Sequence, residues 1–356
     1  MVAIDEQRGT QVSDRRALAR KGHVILAVVM GVVAVTSLAA GPSGTSLWSA
    51  LWSLAQGQPL DRVEALILSD IRAPRTVMGL LVGAALGISG AVMQGLFRNP
   101  LADPGILGVS AGAGLGALVA IVLGGVLPWG IGAFLGRAML PVFAFVGAWV
   151  AMMVLFKVAT RSGRTSVATM LLAGIVMGAL MGAVAGVLVY MADDLQLREL
   201  TFWGMGSLAG ASWVKLMIAG PVIVLACLFS LTLARGLNGL ALGEAAAHHM
   251  GIDVQRVKMG AILSVSASVG AAVAISGGIG FIGIVVPHLL RLLWGPDHRG
   301  LLLNAALLGA TLLVAADIVA RLVVAPADLP IGIVTAVLGA PAFLWILLRN
   351  QSVVDL

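Results

Sequence analysis

The feature that constrains this chain most is a succession of apolar runs, each close to the length of a membrane span and separated by short polar turns. A helix needs about twenty residues to cross about 30 Å of hydrocarbon. Lipid offers backbone N–H and C=O groups no partner, so only helices and closed barrels span it. Barrel strands alternate apolar and polar over about ten residues, and these runs do not alternate. With one tyrosine and 5% aromatic residues, the chain also lacks material for barrel girdles. The pattern predicts an all-α polytopic membrane protein with ten spans, near residues 24–41, 74–95, 105–125, 138–157, 167–191, 213–234, 258–276, 278–294, 300–324 and 331–348. The seventh and eighth come from one long run, divided at Gly277–Gly278.

Composition supports the same class. The chain is 60% hydrophobic and 11% charged, against about 25% charged in soluble domains. A net charge of +6 would suggest nucleic acid in a soluble protein. In a membrane protein it reflects basic residues kept on the cytoplasmic side, and no nucleic-acid partner is expected. With both termini inside, Arg62, Arg72, Arg75, Arg137, Arg198, Lys215 and Arg321 fall outside, and the other fifteen of the 22 Lys and Arg fall inside. The expected layout is a cytoplasmic tail at 1–22, one transmembrane domain over 23–349 with an inner loop at 235–257, and a second tail at 350–356. Cys227 stands alone, which excludes an intrachain disulfide.

Several chemistries lack their residues. There is no G-x-x-x-x-G-K-[ST] phosphate loop, no H-E-x-x-H and no cysteine cluster, so neither nucleotide nor metal binding has support within the chain. Gly108–Gly112 matches G-x-S-x-G around Ser110. That motif needs a strand–turn–helix setting, and here it opens an apolar, glycine-rich span. Asp317 and Arg321 are spaced to pair along one helix face.

Four positions speak more directly. Gly174, Gly178, Gly182 and Gly186 recur every fourth residue of the fifth span, with Met177 and Met181 between them. A face without side chains either packs closely against another helix or borders a passage. Residues 95–105, with Pro100 and Pro104, predict a sharp ordered turn. Arg72 and Arg75 flank Pro74 at an outer helix start, where they serve as interfacial anchors or receive acidic groups of a docking protein. In the inner loop, the Ala-rich stretch within Ala241–Gly251 predicts a short helix ended by Gly251.

At these residues the chain resembles the permease subunits of type II ABC importers, the family that carries cobalamin, iron–siderophore complexes and haem. The resemblance rests on Arg72-Ala73-Pro74-Arg75, on 90–105 (GAVMQGLFRNPLADPG), on 280–291 (GFIGIVVPHLLR), on Ala316–Arg321, and on Leu329–Thr335 with Gly339-Ala340-Pro341. It implies ten spans per subunit, an inverted repeat and a homodimer with the path at its interface. Of the repeat only a faint echo is visible, Ile88-Ser89-Gly90 and Pro100 recurring as Ile275-Ser276-Gly277 and Pro287. The resemblance further implies two ATPase subunits below, which bind ATP and Mg²⁺, and a periplasmic binding protein above. The chain is then not catalytic itself and keeps no cofactor of its own. Arg72, Arg75 and Arg321 match docking positions for the binding protein. Glu244, Ala245, Ala246, Ala247, His248 and Gly251 lie where a coupling helix meets the ATPase, although Glu244 stands one residue early for the E-A-A-x3-G pattern. Asn99, Leu101, Thr165 and Ser166 match a cytoplasmic gate, and the glycine–methionine face matches the path. Segment 95–107 looks closest to haem importers, with ferric siderophores and cobalamin as the other cargoes. A fluorescent protein fused after Leu356 is expected to fluoresce, and alkaline phosphatase fused there to stay inactive; the opposite pair of results would invert the topology.

Overall fold

A computed structural model of the protein describes residues 2–41, 47–126, 135–161 and 164–349. The architecture is helical, apart from a two-residue antiparallel ribbon pairing Thr160–Arg161 with Arg164–Thr165. The helices are α1 (Val2–Ala39), α2 (Leu47–Ala55), α3 (Arg62–Leu66), α4 (Ala73–Phe97), α5 (Val109–Leu123), α6 (Met139–Ala159), α7 (Val167–Met191) and α8 (Asp194–Gly204). They continue as α9 (Trp213–Thr232), α10 (Ala234–Ala241), α11 (Glu244–His249), α12 (Val254–Ser276), α13 (Ile282–Trp294), α14 (His298–Val323) and α15 (Ile331–Arg349). A π-helical turn, Ile67–Arg72, joins α3 to α4.

Eight helical stretches among the described residues are long and apolar enough to cross a membrane, and α13 and the helix beginning at Ile331 are shorter apolar helices. The expected ten spans thus become eight long helices and two short ones. The expected inner tail, from Val2 on, continues α1 without a break; residues 350–356 lie outside the described residues.

Local chemistry sets the helix ends. Ser166 caps α7 by accepting from Thr169 N–H at 3.2 Å. Asp193 and Gln196 form a reciprocal capping box on α8. Asp253 caps α12 and Asp297 caps α14. Each accepts an N–H that the first helical turn leaves without a partner.

The division expected at Gly277–Gly278 is present and wider than a single step. Helix α12 stops at Ser276, Gly277 has φ +73°, and α13 begins only at Ile282. At about 1.5 Å per residue, α13 alone is about 20 Å long, short of the hydrocarbon thickness. Non-helical backbone at such depth must find partners within the protein. Ser276 O accepts from Ser207 N–H at 2.7 Å, and the facing turn is closed by Ile331 N–H to Gly206 O at 3.0 Å.

Helices α4 and α12 form the centre, with most of their residues buried, whereas α1 and α7 lie at the periphery. In a bilayer no hydrophobic force drives helices together, so small residues that allow close backbone approach carry the packing. Helices α4 and α14 show this directly. A Cβ added at Gly83 would run into Gly309 O, one at Gly309 into Gly83 O, and one at Gly87 into Ala305 O. Gly87→Val is therefore expected to lower the melting temperature of the purified protein, by the about 1–3 kcal/mol of an overpacked core or more. Gly182→Ala, whose Cβ meets nothing within 4 Å, is expected to leave it unchanged. Equal melting temperatures for the two variants would contradict this packing.

Candidate functional site: an open helix face between two charged ends

The two ends of the bundle carry different chemistry. The end bearing loop 235–257 is the one that the Lys and Arg asymmetry assigns to the cytoplasm. At the opposite end lie Arg72, Arg75 and Arg321.

These three arginines do not face outward as expected; all three are buried. Arg75 donates through Nε and Nη2 to Asp317 at 2.9–3.1 Å, and its Nη1 reaches Asp328 at 3.1 Å. Arg321 pairs with Asp317 at 3.1 Å, as its i,i+4 spacing predicts. The same guanidinium donates to Ser37 O at 3.2 Å and Ser37 Oγ at 2.8 Å. Arg72 donates to Leu38 O at 2.8 Å and Ala39 O at 3.1 Å. Arg72 and Arg321 thus cap the C-terminal carbonyls of α1, where the helix dipole favours positive charge. Burial turns them inward because a carboxylate and free carbonyls at that depth need donors. Asp328 was not foreseen, since nothing in the sequence joins it to Arg75 before the chain folds.

Helix α7 behaves differently. Gly174 is buried, Gly178 is half-buried, and Gly182 and Gly186 are exposed. A Cβ at Gly178, Gly182 or Gly186 would meet nothing within 4 Å. Residues four apart advance by about 40° around a helix, so the four glycines wind from the packed side to the open side rather than sharing one face. The methionines divide in the same way. Met177 is half-buried, while Met181 is buried with its methyl 3.3 Å from where a Cβ on Gly108 would lie. Gly174 and Met181 therefore belong to the packing of α7 and not to its open side. Exposure on α7 is not confined to the glycines: Leu180 and Val184, about half a turn away from them, are exposed too, as are Val187 and Tyr190, the last at 91%.

At the inner end the predicted short helix is present as α11. Gly243 at φ +102° precedes it and Gly251 at φ +74° follows it. Ala247 is buried, whereas Glu244, Ala245, His248 and His249 are exposed, and Ala246 is half-buried. The helix thus presents a polar face away from the bundle. Asn99 and Leu101 are exposed on the turn after α4, with Asn99 Oδ1 accepting from Leu101 N–H at 2.9 Å. In the same turn Asp103 Oδ1 accepts from Gly105 N–H at 2.7 Å. Burial pushes the Asp103 carboxyl up, and that hydrogen bond acts against the rise. Ser166 is exposed, but Thr165 is not: its hydroxyl turns to Thr160 Oγ1 at 3.0 Å and its backbone is held by α12. Thr165 therefore shapes the inner turn without lining an opening. Lys258 and Gln255, which hold it, were missed; the scarcity of lysine, four in the chain, was the available signal.

Among the described residues no group of three or more His, Cys, Asp or Glu is placed to hold a metal. The described site therefore consists of two charged ends and the open helix α7 between them. Of its charged elements Asp317 is the most consequential. Asp317→Asn leaves two buried guanidiniums short of charge, and breaking such a pair costs about 3–5 kcal/mol. A clear loss of melting temperature is expected for Asp317→Asn in detergent, with a smaller loss for Asp328→Asn, whose side chain is 42% exposed. Equal effects would show that Asp317 is not the centre of the cluster.

The model of the FecCD transport family matches residues 27–349. The hemin transport system permease protein HmuU of Yersinia pestis is 46% identical over 283 residues, covering 80% of this chain and 83% of that protein. The vitamin B12 import system permease protein BtuC of Shigella boydii is 44% identical over 331 residues, covering 92% and 94%. A solved structure described as an inward-facing conformation of a metal-chelate type ABC transporter superposes with a TM-score of 0.80 at 31% identity, over 93% of this chain and 99% of that one. The family match takes in both charged ends and the open helix face, and it extends well beyond half of the sequence. The chain belongs to the FecCD transport family, as a multi-pass membrane permease of type II ABC importers.

Proposed function

We propose that the chain is the transmembrane subunit of an importer that moves haem from the periplasm to the cytoplasm by alternating access, along a path between two copies of itself. The observation that carries this reading is the open side of α7. Gly178, Gly182 and Gly186 have nothing within 4 Å opposite them, whereas glycines on α4, α5, α6 and α14 sit against the backbone of a neighbouring helix. Two such faces brought together enclose a passage with a smooth wall. A wall of this kind binds cargo weakly in every state, so a bulky planar molecule can leave as readily as it enters.

The remaining surfaces fit the partners of such a subunit. The polar face of α11 suits a groove on each of two ATPase subunits, which bind ATP and Mg²⁺; the permease holds no cofactor of its own. Asn99, Leu101 and Ser166 narrow the inner end of the path. A periplasmic haem-binding protein docks at the opposite end, above the arginine cluster. Arg72, Arg75 and Arg321 contribute by fixing the outer ends of α1, α4 and α14 beneath it. Haem as cargo is supported by segment 95–107 and by the hemin permease relative, 46% identical. Cobalamin is the second reading, supported by the BtuC relative of Shigella boydii, which aligns over a larger share of the chain at 44% identity.

The test is uptake into proteoliposomes holding the permease and its ATPase, with binding protein added, comparing haem, a ferric siderophore and cobalamin. ATP-dependent uptake of haem alone is expected. Gly182→Phe is expected to stop that uptake without lowering the melting temperature, because the new ring enters open space. Uptake of cobalamin would overturn the cargo, and uptake without ATP would overturn the mechanism.

A further inference from the structure

Thr165 stands just before Ser166, the N-cap of the path helix α7, and both of its backbone groups are held by one neighbouring helix. Its N–H donates to Gln255 Oε1 at 2.9 Å, and its carbonyl accepts from Lys258 Nζ at 2.9 Å. Gln255 and Lys258 lie three apart on α12 and share a face. The Lys258 ammonium has one further partner, the carboxylate of Glu244 at 2.7 Å. Glu244 is the first residue of α11. Its side chain is 47% exposed, whereas that of Lys258 is 4% exposed. A buried ammonium holds its geometry only while its donors are matched. Here it is matched by the coupling helix on one side and by the start of the path helix on the other.

Helix α11 is itself well tied. Gly251 N–H bonds His248 O at 3.0 Å and Ile252 N–H bonds Ala247 O at 3.0 Å, closing its C-terminus. Ile252 packs on Gly239, where a Cβ would collide with its terminal methyl. A push on α11 is therefore delivered to its neighbours rather than absorbed by fraying.

We propose that Lys258 is the positioning residue that transmits movement of α11 to the entrance of α7, through Glu244 on one side and the Thr165 carbonyl on the other. The position of Glu244, one residue early for the family pattern, then has a purpose. At the first turn of α11 its carboxylate reaches Lys258 on α12 while nearly half of the side chain stays exposed. The inference rests on the reading of α11 as the site where an ATPase attaches.

The experiment uses the assembled complex of permease and ATPase. Ala168, exposed in the first turn of α7, is replaced by cysteine in a Cys227→Ala background and spin-labelled. The distance between the labels on the two copies is then measured by pulsed electron resonance with and without ATP. In the otherwise unaltered permease the distance is expected to change on adding ATP. Lys258→Met keeps the length of the side chain and removes both bonds. With it, ATP hydrolysis is expected to continue while the distance change is lost, and haem imported per ATP to fall about five-fold or more, the lower range of coupling between sites. Lys258→Arg, which can donate to both partners, is expected to restore part of the change. A Lys258→Met complex that hydrolyses ATP and shows the full distance change would overturn the proposal. If Lys258→Met does not accumulate, Glu244→Ala decides: it leaves the bond to Thr165 in place and removes the acceptor that Lys258 reaches on α11. A reduced distance change then supports the relay, and a full change rejects it. An unaltered permease in which ATP moves nothing would instead reject the attachment of an ATPase at α11, and the relay with it.

Discussion

One carboxylate, Asp317, holds two guanidiniums at the outer end of the bundle, Arg75 from α4 and Arg321 from its own helix. The rest of that end depends on it. Arg321 could not sit buried beside the last carbonyls of α1 without a counter-charge. Arg75 likewise ties α4 to α14 and to Asp328 in the segment that follows. The glycine contacts between α4 and α14 are the apolar continuation of the same junction: the helices are pinned by charge at one end and close to backbone contact along their length. Neither device works well alone in lipid, where apolar association is weak and a lone ion pair offsets little of its own desolvation.

The bundle is packed unevenly. Helices α4 and α12 are enclosed, and α7 is open along one side. That asymmetry is what the proposed pairing of two copies across α7 requires. The broken segment after Gly277 is held within the protein: Ser276 O accepts from Ser207 N–H in the turn after α8, and the start of α15 holds that same turn through Ile331 N–H to Gly206 O, so irregular backbone is tolerated inside the membrane region.

Much of this was legible in the sequence because the governing physics is local. Span lengths, the break at Gly277 and the short helix in the inner loop each follow from a few neighbouring residues. The i,i+4 pair of Asp317 and Arg321 is local in the same sense. What was not legible depends on elements distant in the chain. The inward turn of Arg72 requires knowing that α1 ends beside it. Asp328 requires the return of the chain from α14. The division of the glycine stripe needs the neighbours of α7, since spacing alone does not say which side is covered. Lys258 could be noticed as a rarity but not joined to Thr165, 93 residues away.

The link at Thr165 has a consequence for how such a permease can change over generations. Lys258 and Gln255 grip the main chain of residue 165, whose amide and carbonyl every amino acid except proline supplies in full. The side chain there can be exchanged without cutting the grip. A lineage could reshape the inner turn beside Thr160 while inheriting the proposed linkage intact.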